Sequence, residues 1–138
     1  MKNMTDILIA SHGHFASGLK NSIKILTGLD SNIQTIDAYV DERDYVADIK
    51  KFVKNAKKPA VIFTDLKGGS VNQKVMLEVA SHDDIYVVTQ MNLAIIISIL
   101  LDSEPLNKDR LKELISQSQV ELVEINSSDN YQSDDFFS

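Results

Sequence analysis

A histidine at the end of a short apolar run is the residue of this chain best placed for chemistry. Residues 6–13 read Asp-Ile-Leu-Ile-Ala-Ser-His-Gly, so a strand-like segment ends at His12 and a glycine then turns the chain. In open α/β sheets, ligands bind in the crevice at the carboxyl ends of the strands. A neutral imidazole nitrogen is also a good nucleophile near neutral pH. The sequence therefore predicts a catalytic role for His12.

A second segment, residues 64–72, combines a carboxylate with a glycine pair. It reads Thr-Asp-Leu-Lys-Gly-Gly-Ser-Val-Asn, and Asp65 follows a buried strand-like run. Free backbone N–H groups at a helix start, with glycines that allow close approach and a nearby hydroxyl, suit phosphate oxygens. By itself the segment also fits a simple turn with Ser70 as a helix cap. The predicted phosphate-binding residues are Gly13, Gly68, Gly69 and Ser70.

His12 and Asp65 become neighbours if the first and third strands flank one crevice. A carboxylate that accepts a hydrogen bond from one imidazole nitrogen fixes the tautomer and leaves the other nitrogen free to attack. Asp65 is thus the second predicted catalytic residue, and His14 remains a rival for the reactive position. No third histidine or paired carboxylates accompany the two histidines at convincing spacing, so we expect no metal and no cofactor.

Strand-like and helix-like patterns alternate along the chain and would position these residues. The predicted strands are residues 4–10, 33–40, 60–63 and 85–89, and the predicted helices include 41–57, 93–101 and 108–118. This alternation favours an α/β fold with a doubly wound, mainly parallel four-stranded sheet and helices on both faces. The half-polar run 120–125 predicts a C-terminal edge strand, paired antiparallel at the sheet margin or with another subunit.

Composition limits the classes to which the protein can belong. The 138 residues are 43% hydrophobic, which predicts one globular domain over 1–125 and an acidic, mobile tail over 126–138. A net charge of −6 argues against nucleic-acid binding, and the absence of cysteine excludes disulfides and thiolate catalysis. The chain shows no signal-peptide pattern and no apolar run near the roughly 20 residues that span a bilayer. We expect a soluble, cytoplasmic protein.

Together these residues resemble the enzyme IIA domain of the mannose family of the phosphoenolpyruvate-dependent sugar phosphotransferase system. The likeness covers nearly the whole chain and is carried by Ser11-His12-Gly13, by 65–70 and by Met91-Asn92-Leu93. It implies that His12 carries a phosphoryl group, that Asp65 holds the imidazole, and that the glycine loop with Ser70 lies beside the phosphate. One departure is the run Thr-Gln-Met-Asn-Leu over 89–93, where family members often have a glycine before the asparagine.

The resemblance also implies partners. The HPr phosphocarrier protein would donate the phosphoryl group and a IIB component would receive it, whereas the membrane components IIC and IID would be involved only indirectly. A homodimer with the last strand contributed across the subunit interface is implied as well.

Three alternatives stay open at this point. A related domain could supply phosphate to dihydroxyacetone kinase instead of to a transporter. A signalling receiver would be phosphorylated on Asp65, but it needs an acidic cluster after the first strand, where Ser11-His12-Gly13 stands. A hydrolase based on Ser11 or Ser70 would need a Gly-x-Ser-x-Gly elbow, which neither serine has.

Overall fold

Four parallel strands form the centre of the fold in a computed structural model that describes residues 4–125. The strands are β1 (Ile7–His12), β2 (Ile33–Ala38), β3 (Ala60–Thr64) and β4 (Ile85–Val88). Their order is β2-β1-β3-β4 and every pairing is parallel. The two central strands are almost entirely buried, as parallel strands covered on both faces should be. The predicted parallel sheet is confirmed.

Five helices cover the sheet. They are α1 (Phe15–Thr27), α2 (Tyr45–Asn55), α3 (Ser70–Val79), α4 (Leu93–Leu101) and α5 (Lys108–Ser116). Because side chains alternate along a strand, Ile7 and Ile9 of β1 pack with α1, α4 and α5, whereas Leu8 and Ala10 pack with α2 and α3. The helices therefore lie on both faces, as the sequence predicts. None of those in the described part of the chain is long and apolar enough to cross a membrane.

The winding direction changes at the centre of the sheet. From β1 the chain moves to β2 on one side, then crosses to β3 on the other. Such a switch point leaves a crevice at the carboxyl ends of the two central strands. Ala10 of β1 is in register with Thr64 of β3, so the next residues of both strands emerge at this edge. The fold thus places His12 and Asp65 next to each other at the carboxyl ends of β1 and β3.

The connection between β2 and α2 differs from the sequence prediction at both of its ends. The second strand ends at Ala38 instead of continuing to residue 40, and Tyr39 has a φ of 69°. The second helix starts at Tyr45 because Asp44 caps it, accepting a hydrogen bond from the N–H of Val46 at 3.1 Å. A longer loop than expected therefore follows β2.

The predicted C-terminal edge strand does not form within the single chain. Residues 119–125 belong to no helix or strand. Their apolar side chains, Val120, Leu122, Val123 and Ile125, are 56% to 91% exposed. Among residues 4–125 no strand pairs with this segment, so the expected pairing at the chain's own sheet margin is not observed there. Pairing with a second subunit stays a prediction, and the predicted tail over 126–138 lies outside the described residues.

Candidate active site

His12 and Asp65 form the centre of the site. His12 is the last residue of β1, and Asp65 directly follows β3. One carboxylate oxygen of Asp65, Oδ2, accepts the backbone N–H of His12 at 2.8 Å and lies 2.7 Å from the ring nitrogen Nδ1. The Asp65 side chain is 11% exposed, whereas the imidazole is 44% exposed. The structure thus brings the two predicted catalytic residues together, with the imidazole facing solvent.

The carboxylate of Asp65 is held in its ionised form. Burial raises its pKa, but hydrogen bonds from the backbone and ring of His12 and from the backbone of Leu66 outweigh burial. The pKa of Asp65 therefore lies below the ordinary value of 3.8. An ionised carboxylate can only accept hydrogen bonds, so it favours the tautomer with the proton on Nδ1. The other ring nitrogen, Nε2, then carries the lone pair.

The lone-pair nitrogen of His12 faces the start of α3. Ser70 Oγ lies 3.2 Å from Nε2, and the hydroxyl of Tyr39 lies 2.8 Å from the same Oγ. The ring of Tyr39 stacks on the imidazole with a centroid distance of 5.3 Å and an interplanar angle of 30°. Ser70 therefore joins the cluster as the sequence predicts, and Tyr39 is an additional member.

Sequence reasoning missed Tyr39 because the apolar pattern of the second strand was extended through it. A usable signal exists nonetheless. A residue just beyond β2 lies at the same sheet edge as His12, since β2 is paired in parallel with β1 and Ala38 is in register with His12. Any side chain with a hydroxyl or a ring at that position is a candidate neighbour of the imidazole.

The predicted glycines shape the loops, but their N–H groups are already used. The N–H groups of Gly13, Gly68 and Gly69 donate to protein oxygens at 2.8 to 3.1 Å. The first N–H groups of a helix lack partners within the helix, and no side chain caps α3. Donors for an anion are therefore found in the first turn of α3, beginning at Ser70. Phosphate binding by this loop stays a prediction.

Gly69 also allows the loop to lie close to the imidazole. A Cβ atom at this position would be 3.3 Å from the carbonyl oxygen of Leu66 and 3.7 Å from Cε1 of His12. The buried amide of Asn72 anchors the same loop to β3. It donates to Thr64 Oγ1 at 3.0 Å and accepts the N–H of Gly68 at 3.1 Å. These contacts hold the start of α3 against the site.

His14 lies in a separate environment. Its Nδ1 is 3.1 Å from Asp37 Oδ2, and its side chain is 79% exposed. The other oxygen of Asp37 accepts the N–H of Ser17 at 3.0 Å. His14 is therefore paired with a different carboxylate from the one that holds His12. Within residues 4–125, no three histidine or acidic side chains come together in a way that could hold a metal ion.

The departure from the family pattern at 89–93 has a local structural counterpart. Gln90 has a φ of 53°, in the left-handed region that favours glycine. Asn92 nevertheless caps α4, accepting the N–H of Ile95 at 2.8 Å. The turn is thus made without glycine.

Comparison with known proteins places the chain in a family. Residues 6–119 match the family described as the phosphotransferase system fructose IIA component. No curated protein matches the chain significantly. The family match spans all nine helices and strands given above for the described residues.

Solved structures with the same fold come from several bacteria. A Klebsiella pneumoniae protein, described as a candidate phosphoenolpyruvate-dependent sugar phosphotransferase system permease, is 28% identical, with 86% of each chain covered and a TM-score of 0.68. A IIA protein associated with the fucose utilization operon of Streptococcus pneumoniae is 24% identical, with 86% of this chain and 91% of that chain covered and a TM-score of 0.74. The mannose/sorbose specific IIA subunit of Enterococcus faecalis is 23% identical, with coverage of 90% and 100% and a TM-score of 0.68.

The lowered pKa of Asp65 predicts a pH-dependent contribution to stability. Ionised Asp65 stabilises the fold above about pH 4, and this contribution is lost as the pH falls through the lower pKa of the folded state. We expect the free energy of unfolding to fall less for Asp65→Asn than for the wild type as the pH is lowered from about 5 to about 2. Urea unfolding at a series of pH values measures this difference. The exposed Asp83→Asn is the control, and parallel curves for wild type and Asp65→Asn would refute the assignment.

Proposed function

The chain belongs to the family of phosphotransferase system fructose IIA components, and we propose that it is the phosphoryl-relay subunit of a sugar-uptake system. His12 accepts the phosphoryl group from phospho-HPr and passes it to a IIB component. The observation that carries the proposal is the orientation of one imidazole. Nδ1 of His12 is held by the carboxylate of Asp65, whereas Nε2 is left without a carboxylate partner and lies 3.2 Å from Ser70 Oγ, in an imidazole that is 44% exposed.

The transfer forms one bond and breaks another. Nε2 of His12 attacks phosphorus in line, the nitrogen–phosphorus bond of phospho-HPr breaks, and the departing imidazole keeps the electron pair. His12 retains its Nδ1 proton, which stays hydrogen-bonded to Asp65. The ionised carboxylate stabilises the positive charge that develops on the ring as Nε2 bonds to phosphorus. The same step in reverse delivers the group to the IIB component.

The surroundings of Nε2 suit a phosphoryl group. The hydroxyl of Ser70 and the N–H groups that open α3 are donors next to the attacking nitrogen. Gly69 lets the loop lie close to the imidazole, whereas Gly68 and Gly13 make turns with φ values of 76° and 60°, so the three glycines contribute through shape. Phosphoryl transfer depends mainly on alignment and charge stabilisation, which these groups supply without a metal or cofactor.

Protein partners fit this site better than a small sugar does. The imidazole is 44% exposed at the sheet edge, where the phosphorylated side chain of another protein can reach it. In this scheme the sugar contacts the membrane components IIC and IID, which this chain reaches only through IIB. HPr and IIB place the reaction in the cytoplasm. The description of the Klebsiella protein as a candidate sugar permease supports a transporter as the client.

A receiver phosphorylated on Asp65 is disfavoured by the state of that carboxylate. Oδ2 accepts two hydrogen bonds from His12, and Oδ1 accepts the N–H of Leu66 at 3.0 Å. Both oxygens are thus engaged in hydrogen bonds, and the side chain is only 11% exposed, which disfavours either oxygen as an acceptor for a phosphoryl group. A phosphocarrier for dihydroxyacetone kinase would use the same residues as the sugar relay, and transfer assays with each client separate the two.

A homodimer would complete the sheet. β4 is an edge strand of the four-stranded sheet, and an unpaired edge is a template for another strand. Residues 120–125 carry exposed apolar side chains and pair with none of the four strands β1 to β4. Pairing of this segment with the sheet of a second copy would cover these side chains and give the backbone groups of the edge strand hydrogen-bond partners. The dimer proposed here therefore exchanges the segment 120–125.

Substitutions at the site should separate the proposed roles. With phosphoenolpyruvate, enzyme I and HPr, His12→Ala is expected to take up no phosphoryl group because the nucleophile is absent. Asp65→Ala is expected to be labelled about 100-fold more slowly, since the charge that stabilises the ring is lost. The control His14→Ala is expected to match the wild type. Quench-flow labelling measures the rates, and normal labelling of His12→Ala would refute the proposed role of His12.

If the segment 120–125 is exchanged between two copies, substitutions in it should change the oligomeric state. The wild type is expected to be a dimer, because association buries the apolar side chains of 120–125. Val120→Asp combined with Leu122→Asp is expected to yield a monomer, since two buried charges would oppose pairing. Light scattering after gel filtration gives the mass, with Glu121→Gln as the control in the same segment. A monomeric wild type, or a dimer that survives both aspartates, would rule out this interface.

A further inference from the structure

We infer that Tyr39 is a positioning residue for phosphoryl transfer, acting on His12 through Ser70. The inference rests on the proposed function and goes beyond the pair of His12 and Asp65. Two contacts carry it. The ring of Tyr39 stacks on the imidazole of His12, and its hydroxyl lies 2.8 Å from Ser70 Oγ, which in turn lies 3.2 Å from Nε2.

The chemistry of Asp65 sets the direction of the hydrogen bonds. With the proton of His12 on Nδ1, Nε2 can only accept, so the hydroxyl of Ser70 must donate to it. Ser70 Oγ then accepts from the hydroxyl of Tyr39. The Tyr39 oxygen accepts in turn from the hydroxyl of Tyr45, 3.1 Å away. A single ordered series of donors therefore runs from Tyr45 through Tyr39 and Ser70 to the attacking nitrogen.

This series prepares Ser70 for the change that accompanies transfer. When the lone pair of Nε2 forms the bond to phosphorus, Nε2 no longer accepts a hydrogen bond. The proton of Ser70 then turns to an oxygen of the incoming phosphoryl group, while Tyr39 continues to donate to Ser70 Oγ. The tyrosine hydroxyl thus keeps the serine oxygen in place before and after transfer, and the stacked ring restricts rotation of the imidazole.

The backbone of Tyr39 is consistent with a specific role. Its φ of 69° lies in the left-handed region, which is uncommon for residues other than glycine and costs conformational energy. The conformation turns the chain directly after β2 and is accompanied by stacking of the ring on His12. Tyr39 is 60% exposed, so burial of the ring in the core does not explain the conformation. The contacts that accompany the conformation are those with His12, Ser70 and Tyr45.

Single-turnover transfer from phospho-HPr tests the inference. Tyr39→Phe keeps the aromatic stack and removes only the hydroxyl that orders Ser70. Its matched control is Tyr86→Phe, which removes a tyrosine hydroxyl on β4. The experiment measures the maximal rate and the half-saturating concentration of phospho-HPr for each protein. In parallel, the ¹⁵N signal of His12 Nε2 reports the hydrogen bond from Ser70.

We expect Tyr39→Phe to lower the maximal rate about tenfold with an unchanged half-saturating concentration, the size expected for one hydrogen bond. Its Nε2 signal should shift, while Tyr86→Phe behaves as the wild type. An unchanged maximal rate, or a change confined to the half-saturating concentration, would overturn the inference, since the latter marks a docking contact for HPr. If the wild type itself takes no phosphoryl group on His12, the proposed function fails and the inference fails with it.

Discussion

The hydrogen bonds between His12 and Asp65 join the ends of the two central strands and determine the rest of the site. Oδ2 of Asp65 accepts both the backbone N–H and the ring nitrogen Nδ1 of His12, at 2.8 and 2.7 Å. The backbone bond fixes the position of the histidine, and the ring bond fixes its tautomer. Because Nδ1 is hydrogen-bonded to Asp65, Nε2 is the ring nitrogen that keeps a lone pair for chemistry. The roles of Ser70 and Tyr39 follow from that constraint.

The order of the strands in the sheet produces this geometry. The switch from β2 on one side of β1 to β3 on the other opens a crevice between two buried strands. Buried strands tolerate little movement, so their last residues are held firmly while the loops beyond them face solvent. The relay proposed above would need this combination, because it would present one rigid nucleophile to two different protein partners in turn.

Much of the site could be read from the sequence because it depends on local patterns. Continuous apolar runs ending in a polar residue place His12 and Asp65 at strand ends, and the parallel order then makes them neighbours. Tyr39 was missed because the apolar pattern of β2 continues through Tyr39 and Val40, and nothing in it signals a left-handed φ or the end of the strand at Ala38. The segment 120–125 has a strand pattern, but a strand needs a neighbouring strand, and none among residues 4–125 pairs with it. Hydrogen bonds that the motif does not reveal, two of them within residues 64–72 and one to Ala38 of β2, also occupy the N–H groups of Gly68, Gly69 and Gly13.

The chemical identity of the phosphorylated atom tests the central claim most directly. The protein would be incubated with phosphoenolpyruvate, enzyme I and HPr, the added group located by mass spectrometry, and its stability measured in acid and in alkali. A phosphoryl group on His12 that is labile in acid and stable in alkali is the predicted result. A group on Asp65 that is labile in alkali, or one on His14, would contradict the account.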